Sequence, residues 1–264
     1  MAARAIWKGV LNIGPDKIPV KFYSAVQDRT VHFHILDART LQPVKQHMVD
    51  ADTEKEIPNE KIERGLEIES GTFVVLKEDE LSKLGPKPSR DIKLMRFVPP
   101  ERINHQWYER PYYLGPDEDD EMAYFALVKA LANTEREGVA RWVMRNKQYT
   151  GALRVKDGYM VLVTLRHAEE VLSARELPKP SGRPLDKREI RMAQQLVSVL
   201  EDRFRPEDFH DDYRERVMRF IEAKAKGRPP KLKTITQKPA AKSLVDALSA
   251  SLAKAKRTRG KAVA

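Results

Sequence analysis

RAIWKGVLNIGPDKIPVKFYSAV, residues 4 to 26, is the stretch whose reading decides the fold. Val10, Leu11 and Ile13 form one short apolar run, and Ile18, Val20, Phe22 and Tyr23 form a second. Gly14-Pro15-Asp16-Lys17 between them has turn chemistry, so the stretch predicts a β-hairpin. On the second strand Ile18, Val20 and Phe22 alternate with Pro19, Lys21 and Tyr23. A period of two sends the first set into a core and leaves Lys21 on the opposite face. Core and basic residues therefore share a strand.

The same pattern recurs downstream. Val31, Phe33 and Ile35 alternate with His32, His34 and Leu36, which predicts a strand with one apolar face. Gly71 to Leu76 is a compact β-type run. Ile92, Leu94 and the Phe97-Val98 pair make another after the Gly85-Pro86-Lys87-Pro88 turn, with Lys93 opposite the core. Val139 and Val143 alternate with Arg141 and Arg145, which reads as a further strand with the valines on the core face. Ala152 to Lys156 and Tyr159 to Leu165, joined by Asp157-Gly158, form the clearest hairpin, with a pair suited to a type I′ turn. One helix interrupts the series after the acidic run from Asp117 to Glu121 and buries Tyr124, Leu127, Val128 and Leu131 at helical spacing. Many strands and few helices predict a mainly β, α+β fold built on a closed or nearly closed β-barrel. Trp107, Tyr108, Tyr112 and Tyr113 read as core or interface rather than as a base-stacking platform.

Residues 39 to 64 depart from the pattern. They carry Arg39, Lys45, His47, Lys55, Lys61 and Arg64 among scattered apolar side chains, as an excursion from the core does. Run out and back as a hairpin, about 13 residues each way at about 3.3 Å per residue, such an arm reaches roughly 40 Å, enough to cross a duplex. After Pro178 and Pro180 the composition turns helical. Ile190, Ala193, Val197, Leu200 and Phe204 fall on one stripe, and Tyr213, Val217, Phe220 and Ile221 on a second. The chain ends in a basic tail: from Ala223 to Ala264 twelve Lys or Arg face one acidic residue, Asp246. The tail carries +11 of the net +10, so the rest of the chain sums to −1. A tail of this kind is expected to be disordered when free and to bind nucleic-acid phosphates, with Lys254, Lys256, Arg257, Arg259 and Lys261 at its end. A near-neutral body must instead gather its basic residues on one surface.

Ile6-Trp7-Lys8-Gly9, Ile18-Pro19-Val20-Lys21 and Tyr23-Ser24-Ala25 carry a family resemblance as well. So, in order, do Phe33-His34-Ile35-Leu36, Glu56-Ile57-Pro58, Arg64-Gly65, Tyr108-Glu109-Arg110-Pro111-Tyr112-Tyr113-Leu114 and Leu165-Arg166-His167-Ala168-Glu169-Glu170. Together these motifs, across most of residues 4 to 177, resemble the bacterial Ku family. The resemblance implies a Ku-type β-barrel core with a bridging arm at about residues 36–66, two of which close a ring around double-stranded DNA in a homodimer. It implies domains at 1–180 (core), 181–227 (helical region) and 228–264 (basic tail). It further implies DNA-end binding in non-homologous end joining and recruitment of an ATP-dependent ligase of the ligase D type by the helical region, for which Tyr213, Val217 and Phe220 are the candidate contacts. Candidate contacts to the DNA backbone are Lys21, Arg29, Arg39, Lys45, Lys55, Lys61, Arg64 and Lys93, with the tail residues above. Some relatives carry cysteine pairs where Asp50, Asp52 and Thr53 stand here, and an Asp-Pro pair where Asn104-His105-Gln106 stands.

Several classes are set aside by what is missing. The 264 residues contain no cysteine, which excludes disulfides and thiolate metal sites and fits a reducing cytoplasm. Residues 1 to 25 hold no long apolar run, so a soluble intracellular protein is expected. His32 and His34 share a face without a third ligand at a recognisable spacing, and no phosphate-cradling Gly loop, Ser-His-Asp set or lysine nucleophile motif occurs. No catalyst or cofactor is expected. Two rivals stand beside the end-binding reading: a nucleoid-type architectural protein acting through its tail, and a metal-dependent nuclease using Asp117 to Glu121. For that acidic run the stronger reading is a first helical turn complementing the helix dipole.

Overall fold

The opening hairpin forms as its alternation requires. β1 (Trp7–Ile13) and β2 (Asp16–Ser24) pair antiparallel around the turn Gly14-Pro15, with Leu11, Ile18, Val20 and Phe22 buried. The structure, a computed structural model, describes residues 4–117, 121–179, 181–182, 184–227, 248–249 and 251–253. The chain divides into two compact units, Met1–Glu176 and Leu177–Ala264.

In the first unit the strands that follow are β3 (Arg64–Glu69), β4 (Thr72–Leu76), β5 (Asp91–Val98), β6 (Tyr108–Pro116), β7 (Glu137–Met144), β8 (Lys147–Lys156) and β9 (Tyr159–Leu165). Seven of them close a barrel in the order β1-β2-β6-β9-β8-β7-β5. Every neighbouring pair is antiparallel except β1–β5, which closes the ring in parallel through Val10↔Asp91 and Leu11↔Ile92. That pair dictates the course of the chain, because parallel neighbours need a long crossover. β2 returns to the end where β1 began, and β5 starts from that same end. Residues 26–90 therefore leave and re-enter through one mouth of the barrel.

None of residues 26–90 is buried. The expected strand Val31–Leu36 does not form: residues 31–35 take no regular structure, the Ile35 carbonyl accepts from the Val44 amide at 3.1 Å, Leu36 makes a single bridge, and Phe33 and Ile35 stay exposed. Alternation alone makes no strand where no neighbouring edge runs alongside the whole segment. Nor does the arm run out and back as one long hairpin. It is built from two short reversals, each closed by a single bridge, Leu36↔Pro43 and Val49↔Glu56, and then the separate hairpin β3–β4 and the short helix α1 (Glu78–Leu84). The excursion is thus longer than the expected 36–66.

Inside the barrel Leu11, Val20, Phe22, Ile92, Leu114, Leu153 and Leu162 are fully buried, each contributing about 1.5–3 kcal/mol of transfer free energy against the entropy of ordering the chain. α2 (Glu121–Thr134) closes the mouth opposite the arm. Its Tyr124 reaches the core, donating to the Leu114 carbonyl at 2.6 Å and accepting from Met160 N–H at 3.1 Å. Leu131 is buried and Leu127 and Val128 pack against the core, as their spacing predicts. β7 corrects the sequence reading. Val139, Arg141 and Val143 share the outer face, and the core face is Gly138, Ala140, Trp142 and Met144. Trp142 stacks on Tyr149 at 5.4 Å, and Gly151 makes room for it, since a Cβ there would stand 2.8 Å from both the indole and the Val163 carbonyl. Asp157 and Gly158 at φ +50° and +79° make the type I′ turn of β8–β9. Of the aromatic cluster Tyr112 is buried, Trp107 and Tyr108 half-buried, and Tyr113 exposed.

In the second unit α3 (Lys187–Leu200) begins with a capping box, Asp186 accepting from the Arg188 and Glu189 amides. Its sheltered stripe is Glu189, Met192, Ala193, Leu196 and Val199, which shares Ala193 alone with the expected one. Ile190, Val197 and Leu200 are exposed and Phe204 lies beyond the helix. α4 (Asp212–Ala225) carries Val217 and Phe220 half-buried, with Tyr213 and Ile221 exposed. The basic tail's Lys254, Lys256, Arg257, Arg259 and Lys261 lie outside the described residues, as do positions 118–120 of the acidic run.

Candidate nucleic-acid interface

A phosphate-binding surface needs cations that no carboxylate has already neutralised. Alternation provides two on the barrel wall. With Ile92, Ala140 and Trp142 inside, Lys93 and Arg141 point outward, and they stand directly opposite each other on β5 and β7. Like charges so placed repel, and the pairing persists without an ion pair to either residue among the described residues. The register carries the row onward through Asn12 to Lys17 on β2. Asp91 sits beside the row. Hydrogen bonds from Asn12 and Ser89, then the charges of Lys93 and Lys17, hold its carboxyl below the usual range.

Toward the arm the β7–β8 turn adds Arg145. Arg145 and Asn146 occupy φ +51° and +60°, the left-handed region that a two-residue turn demands and that L-residues other than Asn and Gly enter at a cost. With Trp7, Pro88, Ser89, Arg90 and Val143 they line a cleft of about 380 Å³ where the arm rejoins the barrel. Arg110 lies 5.7 Å over the Tyr112 ring. Burial raises the Tyr112 hydroxyl, and the charges of Arg110 and Arg145 oppose that rise.

The wall is held by a buried carboxylate. Glu137, 3% exposed at the start of β7, accepts from Tyr108 Oη at 2.7 Å, and Arg154 Nε lies 3.1 Å away as an ion pair whose N–H is not aimed for a hydrogen bond. The Arg154 guanidinium covers the Tyr108 ring at 4.5 Å. Three strands that are not all neighbours, β6, β7 and β8, are thus tied together. Burial first, then Glu137, pushes the Tyr108 hydroxyl up to about 12.

The residues singled out in the sequence are dispersed. Lys21 is 2.8 Å from Asp117, which also holds Lys8, and its side chain is 16% exposed, so a phosphate contact there would have to break that pair. Arg39 stands 3.6 Å from its neighbour Asp37. Lys45, Lys55, Lys61 and Arg64 are exposed along the arm, as is Arg29 at its start. Lys93 alone joins the wall. The arm as a whole is not basic: residues 26–90 hold ten Lys or Arg against thirteen Asp or Glu. Its exposed side chains are also strongly apolar, among them Phe33, Met48, Leu66, Phe73 and Val75. Arg90, Arg141 and Arg145 were missed by the sequence reading. The signal for Arg145 was Arg-Asn in a hairpin turn where Asn-Gly is the usual choice. Arg141 was legible only with the correct strand parity. His32 lies 3.5 Å from Asp28, and no cluster suited to a metal ion occurs among the described residues.

The comparisons agree with this architecture. A family model described as the Ku70/Ku80 beta-barrel domain matches residues 14–192. The chain is 32% identical over 251 residues to the "Non-homologous end joining protein Ku" of Coxiella burnetii, covering 93% of this chain and 92% of that one. It is 33% identical over 250 residues to the protein of the same name from Archaeoglobus fulgidus, covering 94% and 98%. With that of Pseudomonas aeruginosa it shares 35% over 226 residues, 84% and 77% of the two chains.

Proposed function

The chain belongs to the Ku family, and from that premise we propose that it binds double-stranded DNA ends without regard to sequence, as a ring-shaped homodimer in non-homologous end joining, and recruits and stimulates an ATP-dependent DNA ligase of the ligase D type. The observation that carries the reading is the arm, which leaves and re-enters one mouth of the barrel beside an unneutralised basic row and buries nothing of its own. Two such arms closing a ring admit DNA only over a terminus. Topology then supplies the preference for ends, and phosphates supply affinity independent of sequence. The exposed apolar arm residues support the dimer, since so many large apolar side chains left exposed on one excursion mark an interaction site. Lys93, the exposed arm residues Arg29, Arg39, Lys45, Lys55, Lys61 and Arg64, and the tail are the proposed backbone contacts, to which Arg90, Arg141 and Arg145 are added. The ligase contact is assigned to α4, around Tyr213, Val217 and Phe220. The protein acts by binding, without turnover of DNA, in the cytoplasm at the nucleoid. Among the described residues no helix is long and apolar enough to cross a membrane.

The test is binding to one plasmid as supercoiled circle, nicked circle and linear form at about 0.15 M salt, where weak tail contacts are screened. The ring predicts binding to the linear form alone, lost when both ends are blocked. Equal binding to the circles would replace it with coating of DNA through the basic tail.

A further inference from the structure

We propose that a tyrosine-lined cleft on the outer face of β2, β6 and β9 docks a lysine- or arginine-bearing segment of a partner protein. Strand alternation turns Tyr112, Leu114 and Met160 into the core and leaves Tyr23, Tyr113 and Tyr159 outside. Tyr23 stands directly opposite Tyr113, and the Tyr113 and Tyr159 rings meet edge to face at 6.4 Å. With Gly115, Pro116 and Asp157 they enclose about 510 Å³, within the range of ligand pockets. Tyr113 is 38% and Tyr159 56% exposed, so this aromatic surface faces outward rather than into the barrel.

Charge selects the occupant. Asp157 is the one charged residue of the lining. Lys8 and Lys21 are both held by Asp117, and Lys156, opposite Tyr159 on β8, lies outside the lining. Aromatic platforms that stack bases work beside positive charge that holds the phosphates, and here the one charge of the lining is negative. A cation between phenol rings with a carboxylate at the rim satisfies both features: ring faces attract ammonium and guanidinium groups, and Asp157 pairs with them.

The experiment is fluorescence anisotropy of the full chain with a labelled ten-residue peptide of alternating lysine and proline, and with its glutamate counterpart. Saturable binding of the lysine peptide alone is expected. Tyr159→Ala and Asp157→Asn should each weaken it about two- to fivefold, with linear DNA binding unchanged. Asn suits the positive φ at position 157, so the second variant keeps the turn. No saturable binding, equal binding of the glutamate peptide, or indifference to both substitutions would each overturn the proposal. So would a dimer that Tyr159→Ala converts to monomer in sedimentation, which would make the cleft a contact between copies of this chain.

Discussion

Arg145 shows how a single residue trades local comfort for placement. A left-handed L-residue costs about 1–2 kcal/mol, and the β7–β8 turn holds an arginine there. Arg145→Gly should leave stability unchanged or raise it by up to about 1 kcal/mol in urea denaturation, because glycine enters that region freely but loses more entropy on folding. The same substitution should weaken DNA binding and lower the slope of log affinity against log salt by about 0.9, the share of one phosphate contact. A slope equal to wild type would remove Arg145 from the interface. Tyr108 makes a second prediction at this scale. Its hydroxyl is raised from 10.0 to about 12 in the fold, so its contribution to stability is fully present below about pH 10 and is lost as pH rises through about 12. Tyr108→Phe should flatten that part of the alkaline denaturation curve. If the variant loses stability as steeply as wild type, the Tyr108–Glu137 contact does not govern it.

At the scale of elements the arm and the barrel obey different rules. Barrel strands fold on shared apolar faces, whereas β3 and β4 pair with each other and bury none of Leu66, Phe73 or Val75. In the homodimer we propose, their apolar side chains face the second protomer. Phe73→Glu should turn dimer into monomer in sedimentation while leaving the circular dichroism of the barrel intact, and an unshifted dimer would place the contact elsewhere. The reversals of the arm depend on aspartates. Asp50 accepts from the Thr53 amide and hydroxyl, each at 2.8 Å, and these bonds lower its pKa below 3.8. The stabilisation is present above that value and is lost as pH falls through the lowered one. Hydrogen exchange at the Thr53 amide, corrected for its intrinsic pH dependence, should therefore lose protection on acidification below about pH 3.8.

For the whole molecule, charge and topology divide the labour. Residues 1–222 sum to −1 and residues 223–264 to +11, so the tail dominates the long-range field, and in our proposal the ring accounts for the requirement for ends. Removing residues 228–264 should lower affinity for linear DNA and flatten its salt dependence, yet preserve the preference for linear over circular plasmid. Loss of all binding would assign the function to the tail.

The opening hairpin, the Asp157-Gly158 turn and the core faces of β2 and β5 were determined by the sequence itself, because alternation and turn residues act within a few positions of the chain. The barrel and the arm were legible from pattern and family motifs together. Tertiary structure decided what depends on neighbours distant in sequence. It left Phe33 and Ile35 outside any strand, turned Trp142 rather than Val143 inward, and exposed the stripe Ile190, Val197 and Leu200. It also spent Lys21 on Asp117, 96 positions away along the chain, and set Lys93 against Arg141. A side chain's charge is written in the sequence, but whether that charge is free is set by what the fold brings within about 4 Å of it.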